Sequence, residues 1–435
     1  MEKNRKKSTF YLTLVIFSLI GQVAWVVENM YFNVFIYKMF NASAQAISTM
    51  VAASAVAATV TTLLVGALSD KVGKRKLFIC VGYLVWGITI WSFALIRTDV
   101  INVLFPAAVS AAAVGVSLVI IMDCVMTFFG SSANDACFNA WLTDVTDETN
   151  RGAAEGINAM MPLVAILVVF GGFMGFDLNQ ADSWTAIFGI IGTVVLVIGV
   201  AGFFLIRDVP IHTEDNQNYF SNIFYGFRPK VVGQNPVFYM TLAAYAVFGI
   251  AIQIFMPYLI LYYNVSLGMD NYVLIMAPAI ILAAVFTAFY GRVYDKTGFM
   301  RAVVPALMLL MAGFVVLYLF KNTALVFAGS LLMMCGYLAG MAVFGAMLRD
   351  HTPENRAGMF QGLRIVGQVL IPGIIGPAIG AWVLRNAETV VNDDGTTSFI
   401  PNEYIFLAAL IAAVLIWAVL IPMVRMLKKE ASHAD

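Results

Sequence analysis

Apolar and polar positions segregate along this chain in blocks of about twenty residues, not with the short period of a surface strand or helix. Apolar runs cover approximately 10–37, 45–68, 77–97, 107–142, 152–176, 184–206, 236–263, 270–292, 302–320, 323–347, 357–384 and 402–424, with short polar segments between them. Each is close to the ~20 residues with which a helix crosses ~30 Å of hydrocarbon. Backbone polar groups in hydrocarbon must be satisfied within the segment, and barrel strands would be shorter and alternating. The pattern therefore predicts twelve transmembrane helices. A lysine-rich start precedes the first run, as in a signal peptide. That run is too long for one, however, and carries Glu28, Asn29 and Asn33, so it reads as a retained span.

One stretch is irregular. Lys76 and Asp144 are separated by 67 residues, whereas the corresponding Arg301 and Asp350 are separated by 48. Either the third or fourth helix is unusually long, or a re-entrant piece lies near 98–116. A thirteenth span is disfavoured because it would invert the charge distribution downstream.

Composition agrees with the pattern: 61% of the 435 residues are hydrophobic and 11% charged, far from the balance of a soluble domain. Mean hydropathy is +0.87. A formal net charge of zero argues against a nucleic-acid partner. Cys80, Cys124, Cys137 and Cys335 lie in apolar runs without metal-like spacing and read as packing residues. His212, His351 and His433 lie in polar segments, so no histidine serves as an intramembrane proton relay, and no cofactor is implied. The bases orient the chain. Of the 25, twenty fall on the side of the N-terminus, four (Lys38, Arg97, Lys321 and Arg385) on the other, and Arg364 inside a span. By the positive-inside rule both termini are expected in the cytoplasm.

Two motifs recur. Gly66-Ala-Leu-Ser-Asp70-Lys71-Val-Gly73-Lys-Arg75-Lys76 matches Gly291-Arg-Val-Tyr-Asp295-Lys296-Thr-Gly298-Phe-Met-Arg301. The stretch from Leu142 through Asp144 and Arg151 to Gly152 matches that from Leu348 through Asp350 and Arg356 to Gly358, with a one-residue gap. In each half the first motif follows the second span and the other follows the fourth, as a parallel repeat of six helices would leave them. The expected organisation is a six-helix half over 1–206, a central loop over 207–235 with an amphipathic stretch (Phe220, Ile223, Phe224, Phe227), and a second half over 236–435.

The motif at 66–76 resembles the signature loop of the major facilitator superfamily, and the resemblance covers the whole chain. It implies an all-α membrane protein of twelve helices in two pseudo-symmetric halves, glycines that allow close helix packing, and charge pairs that close the cytoplasmic mouth until the halves rock. That assigns gating to Asp70, Arg75, Asp144 and Arg151, with Asp295, Arg301, Asp350 and Arg356 in the second half. Asn218–Pro229 and the run Asn134-Asp135-Ala-Cys-Phe-Asn139-Ala-Trp-Leu-Thr-Asp144 further resemble the glycoside–pentoside–hexuronide:cation symporter family, especially its sucrose-transporter-like branch. Melibiose permeases of that family carry paired acids in the second span as a sodium site. The second span here, 44–68, has none, so a proton becomes the preferred coupling ion, with sodium as the alternative.

Ionisable side chains at membrane depth are costly and mark candidate sites. Asp135 lies nine residues from Asp144, about 14 Å along a helix, flanked by Asn134 and Asn139. This setting suits reversible protonation. Glu28 and Asp123 are the other candidates for cation coupling. Gln22, Trp25, Asn29 and Phe32 form a stripe at 3-4-3 spacing on the first span, with Asn33 beside it. Aromatic faces and amides together suit a sugar. Asn158 on the fifth span, Tyr245 and Gln253 on the seventh, and Gln361, Arg364 and Gln368 on the eleventh complete the substrate candidates. Glu155 reads as a mouth residue pairing near Arg151, and Arg364 needs a carboxylate or a watery cavity. Pro257 and the Pro372–Pro377 run supply bends. The expected protein is a monomeric, multi-pass transporter of the cell membrane, with the lipid bilayer and a small sugar as partners. It would work by alternating access around a site between the halves. An efflux antiporter for amphipathic compounds is the nearest alternative, and a membrane enzyme or sensor the alternative of another class.

Overall fold

The computed structural model describes residues 2–146, 150–207, 225–352, 362–392 and 396–434. Among them twelve helices are long and apolar enough to cross a membrane. The chain divides into two units, Met1–Gln217 and Asn218–Asp435. The first holds spans Thr9–Phe40, Ala44–Gly66, Arg75–Leu95, Ala111–Val145, Gly156–Phe173 and Ala181–Leu205. The second holds Pro236–Ser266, Val273–Thr297, Phe299–Leu319, Thr323–Asp350, Gly362–Leu384 and Tyr404–Leu427. We number these spans one to twelve.

Short polar residues start the helices where the sequence leaves hydrocarbon. Ser43 Oγ and Ser110 Oγ accept hydrogen bonds from the backbone N–H of Ala46 and Ala113, both at 3.2 Å, and Asn322 Oδ1 accepts from Leu325 at 2.9 Å. The repeat extends from sequence into packing. In the first unit span one packs on spans four, five and six, span two on four, and span three on four and six. In the second, span seven packs on ten, eleven and twelve, span eight on ten, and span nine on ten and twelve. Each of these pairs in one unit has its counterpart in the other.

The glycines of the repeated loop do a different job from the one expected. Gly66 and Gly291 have no atom closer than 3.9 Å to where a Cβ would stand, so neither brings helices together. Gly73 and Gly298 instead end the helices of the second and eighth spans with φ of +69° and +78°, backbone conformations that cost a side-chain-bearing residue about 1–3 kcal/mol. Close approach occurs elsewhere, as between spans nine and ten at Gly313 and Gly336.

The surplus residues before Asp144 are accounted for by a 35-residue fourth span, Ala111–Val145, preceded by a short helix, Thr98–Leu104. A separate short helix stands within the 98–116 stretch that one alternative singles out, and the fourth helix is long, as the other has it. It is also not uniformly α-helical: Ser131–Phe138 forms wider π turns, as do Val27–Tyr31, Tyr262–Ser266 and Val366–Leu370. Each extra residue in a turn rotates everything beyond it by roughly 100° relative to an unbroken α-helix. The segment between spans eleven and twelve carries a small antiparallel pair of strands, Thr389–Val391 and Thr397–Phe399.

Candidate substrate and coupling site

The first unit gathers its three intramembrane acids along spans one and four. Glu28 is buried within the π turns of span one. Its Oε1 accepts from Ser54 Oγ of span two at 2.6 Å and from Thr127 Oγ1 of span four at 2.8 Å. Its Oε2 is buried without a partner. Asp123 precedes Thr127 by four residues, so it lies one turn away on the same face, about 6 Å along the axis. It is 2% exposed and its Oδ1 also lacks a partner. Asp123 and Glu28 interact electrostatically. Farther along span four, Asp135 accepts from Ser131 Oγ at 3.0 Å. Asp123, Thr127, Ser131 and Asp135 are thus spaced by fours, and the π turns keep Ser131 and Asp135 aligned where an α-helix would drift. The groups acting on Glu28 and Asp123 are hydroxyls and other acids; no base among the described residues pairs with either.

Beside this row stands an aromatic–amide cluster. Trp25 Nε1 donates to Asn134 Oδ1 at 3.3 Å, Asn134 Nδ2 donates to Tyr83 OH at 2.8 Å, and Tyr83 OH donates to the carbonyl of Phe17 at 2.9 Å. The Trp25 ring lies 5.1 Å from that of Trp86. Asn134, which the sequence placed against substrate, is 3% exposed and fills the space beside Gly21, so it ties spans one, three and four together. Trp25 and Gln22 are half-buried and Asn29 is exposed, with Nδ2 donating to the Trp25 carbonyl at 2.8 Å. Two neighbours leave this face. Phe32 packs 4.5 Å from Phe93 and 5.5 Å from Phe188. Asn33 is 1% exposed and donates to the Asn29 carbonyl. The π turns at Val27–Tyr31 rotate both away from the stripe that α-helical spacing predicts. Asn139 is exposed and donates to the Asp135 carbonyl at 3.1 Å; Asn158 accepts from Ser18 Oγ, joining spans five and one.

In the second unit Tyr245 is buried and stacks 5.4 Å from Phe344, while Phe248 stacks 6.4 Å from Tyr337. Gln253 is half-buried where span seven meets span eleven, its Cβ 2.4 Å from where a Cβ on Gly376 would stand. Arg364 and Gln368 are half-buried on span eleven, Gln368 within its π turns. Gln361 lies outside the described residues.

Of the gating set, Arg75 is 6% exposed and pairs with Asp144, its Nε 3.0 Å from Oδ2, while its Nη1 donates to Ser69 Oγ at 2.6 Å. The side chains of Asp70, Arg151 and Glu155 and all of Arg356 lie outside the described residues. The second unit departs from the first. Met300 stands where the repeat places Arg75, and Tyr294 where it places Ser69. Tyr294 OH donates directly to Asp350 Oδ2. Asp295 and Arg301 are exposed and take part in no ion pair among the described residues. An unexpected pairing lies at the opposite ends of the spans. Arg97 bonds Asp99 at 3.1 Å and Asp182 at 2.7 Å, and Lys321 bonds Glu403 at 3.1 Å. In both units the base follows the third span of the unit, and an acid (Asp182 or Glu403) stands at the start of the sixth. Hydrogen bonding to Asp182 and Asp99 raises the pKa of the Arg97 guanidinium, and that guanidinium holds the Asp99 carboxyl below its usual range.

Arg75→Gln removes one partner from a mostly buried charge pair. Thermal unfolding in detergent should show a loss of about 1.5–3 kcal/mol. Adding Asp144→Asn should cost less than a second independent loss. Strict additivity in the double-mutant cycle would show that the pair does not act as a unit.

The Major Facilitator Superfamily model matches residues 10–343. The chain belongs to this superfamily. Its fold is similar to that of a bacterial homologue of the human lysosomal transporter Spinster (TM-score 0.73, 15% identity, 97% of this chain and 98% of that one). It is also similar to the nucleoside transporter NupG (TM-score 0.67, 14% identity, 96% and 98%) and to a D-xylose-proton symporter (TM-score 0.69, 13% identity, 94% and 97%). No curated protein sequence matches. The protein is therefore a multi-pass membrane transporter and not an enzyme. Within the superfamily fold, sequence reasoning missed Ser54, Thr127, Ser131, Tyr83 and Tyr294. Thr127 and Ser131 were signalled by their four-residue spacing from Asp123 and Asp135. Ser54 had no signal, being one hydroxyl among many in an apolar helix.

Proposed function

We propose that the protein is a secondary active transporter that imports a glycoside of di- or oligosaccharide size in symport with a proton, by alternating access, with both termini in the cytoplasm. One observation carries the coupling: the buried Glu28–Asp123 pair has two unpartnered oxygens and no base among the described residues. Two buried carboxyls within electrostatic reach of each other and without a counter-charge bear one proton more cheaply than two negative charges. The oxygens of Ser54 and Thr127 complete a set that sodium would also accept, which makes sodium the alternative ion. The sugar assignment is supported by the symporter-like runs at 134–144 and 218–229, by the Trp25 ring with the amides of Asn29 and Asn134 beside it, and by likeness to a D-xylose-proton symporter.

Uptake of a labelled sugar panel into proteoliposomes under an imposed pH or sodium gradient tests this reading. A glycoside should accumulate under an inward proton gradient. Accumulation that ignores both gradients would sink symport, and proton-driven extrusion of an amphipathic compound would select the antiporter instead. Asp135→Asn should lower accumulation while sparing equilibrative exchange; if neither changes, Asp135 has no part in coupling.

A further inference from the structure

A cavity apart from the coupling acids lies on the side of the first unit opposite the termini, where spans one and three end and span six begins. Its volume is about 360 Å³, and Phe35, Phe40, Phe93 and Trp184 wall it. These rings are buried and lock one another: Phe35 lies 5.7 Å from Phe40 and 5.2 Å from Trp184. The space therefore stands open without a rotamer change, and it is of the size that holds a small organic group.

Charge surrounds it unevenly. Arg97 at the rim donates through Nε to Asp99 and through Nη1 to Asp182 and Thr185, which leaves Nη2 without a partner among the described residues. One base thus faces two carboxylates, both mostly exposed, at 67% and 90%. The repeat shows where the surplus comes from. At the matching place the second unit pairs one base with one acid, Lys321 with Glu403, and spans nine and ten are joined by residues 320–322 alone. In the first unit the extra helix Thr98–Leu104 supplies Asp99.

A groove of about 500 Å³ follows between spans three and six, with Trp91, Gly189, Ile190, Thr193 and Val194 in its lining. Thr185 lines the cavity and Ala186 the groove, so span six passes from one to the other without a break. Trp91 and Ile190 are 44% and 53% exposed among apolar neighbours, so the groove opens onto hydrocarbon. From Ala186 to Val194 it runs about 12 Å along the helix, which fits within one leaflet of about 15 Å. Its floor is open at Gly189, where a Cβ would have no atom nearer than Trp91 Nε1 at 3.8 Å. Gly192, by contrast, is packed on Gly87 and Trp91.

We propose that cavity and groove together hold one phosphatidylethanolamine molecule, its headgroup at Arg97, Asp99 and Asp182 and one acyl chain along span six. A phosphate oxygen accepts from Arg97 Nη2, and the ammonium donates to the carboxylates that outnumber the base. A primary ammonium brings three N–H donors, as a lysine does, whereas the quaternary nitrogen of choline brings none. A headgroup with net negative charge would meet the surplus acid.

Thermal shift and native mass spectrometry of the delipidated full chain in detergent test this. The probes are phosphatidylethanolamine, its N-methylated series up to phosphatidylcholine, and phosphatidylglycerol, all with the same acyl chains. Phosphatidylethanolamine should bind at least about tenfold tighter than either end-member, with affinity falling as methyl groups replace N–H donors. Asp99→Asn combined with Asp182→Asn should abolish that preference, and because both side chains are exposed the fold should survive. Gly189→Leu should weaken the lipid about tenfold by filling the groove, with the lipid-free melting temperature unchanged. Equal binding of the three headgroups, or a preference that survives the double variant, would overturn the proposal. So would lipid binding indifferent to Gly189→Leu. A dimer in detergent that Gly189→Leu dissociates would give the groove to a second copy of the chain and overturn it as well.

Discussion

Glu28→Gln should abolish gradient-driven accumulation and leave exchange of substrate across the membrane within a few-fold of normal. The amide keeps an acceptor oxygen for Ser54 and Thr127, which bond Glu28 at 2.6 and 2.8 Å, so the local helix contacts survive. What it cannot do is gain and lose a proton. A proton gradient of two pH units supports about 100-fold accumulation in one-to-one symport; the variant should reach a ratio near one. Glu28→Ala would be a poorer test, because the Ser54 and Thr127 hydroxyls, 2.9 Å apart, would keep only each other and one would lose its acceptor at about 1–3 kcal/mol. A ratio that stays high in Glu28→Gln would exclude Glu28 from coupling.

Gly336→Ala should damage folding more than any substitution at the polar site. A Cβ there would stand 2.2 Å from the Leu310 nitrogen, 2.6 Å from the Leu310 Cα and 2.7 Å from the Ala306 carbonyl oxygen. All three are backbone atoms of span nine, so no rotamer change relieves the clash and the helices must separate. Overpacking of this kind costs about 1–3 kcal/mol even where side chains can yield, and more is expected here. Gly345, in the same tenth span, has nothing within 4 Å of its Cβ position. Gly345→Ala should be neutral or stabilising, by up to about 1 kcal/mol from helix propensity. Monodisperse yield and melting temperature of the two variants make the comparison. Equal stability would mean that spans nine and ten do not meet at Gly336 as described.

The spans and the repeat were legible because both are written in composition and spacing, which lipid enforces on every residue. Glu28, Asp123 and Asp135 were legible for the same reason: hydrocarbon makes an acid conspicuous. Their relation was not. That Glu28 and Asp123 come within electrostatic reach of each other depends on which way spans one and four turn, and π turns reset that rotation without leaving a sequence mark. This is why Phe32 and Asn33 were misplaced while Gln22, Trp25 and Asn29 remained on one face. That Asn134 bridges Trp25 and Tyr83 was not legible either, because an amide that bridges helices and one that meets a sugar look alike in sequence. The repeat misled in another way. It carried Arg75's role onto Arg301, although position 300 is a methionine and Tyr294 reaches Asp350 instead.

The central claim is that transport carries a proton through the Glu28–Asp123 pair. It is tested most directly by the external pH of a weakly buffered proteoliposome suspension when the transported glycoside is added without any imposed gradient. Downhill entry should carry protons inward and make the medium more alkaline, in proportion to sugar taken up, and Glu28→Gln should transport without that change. Sugar entry by the unmodified protein with no shift in external pH would contradict the account.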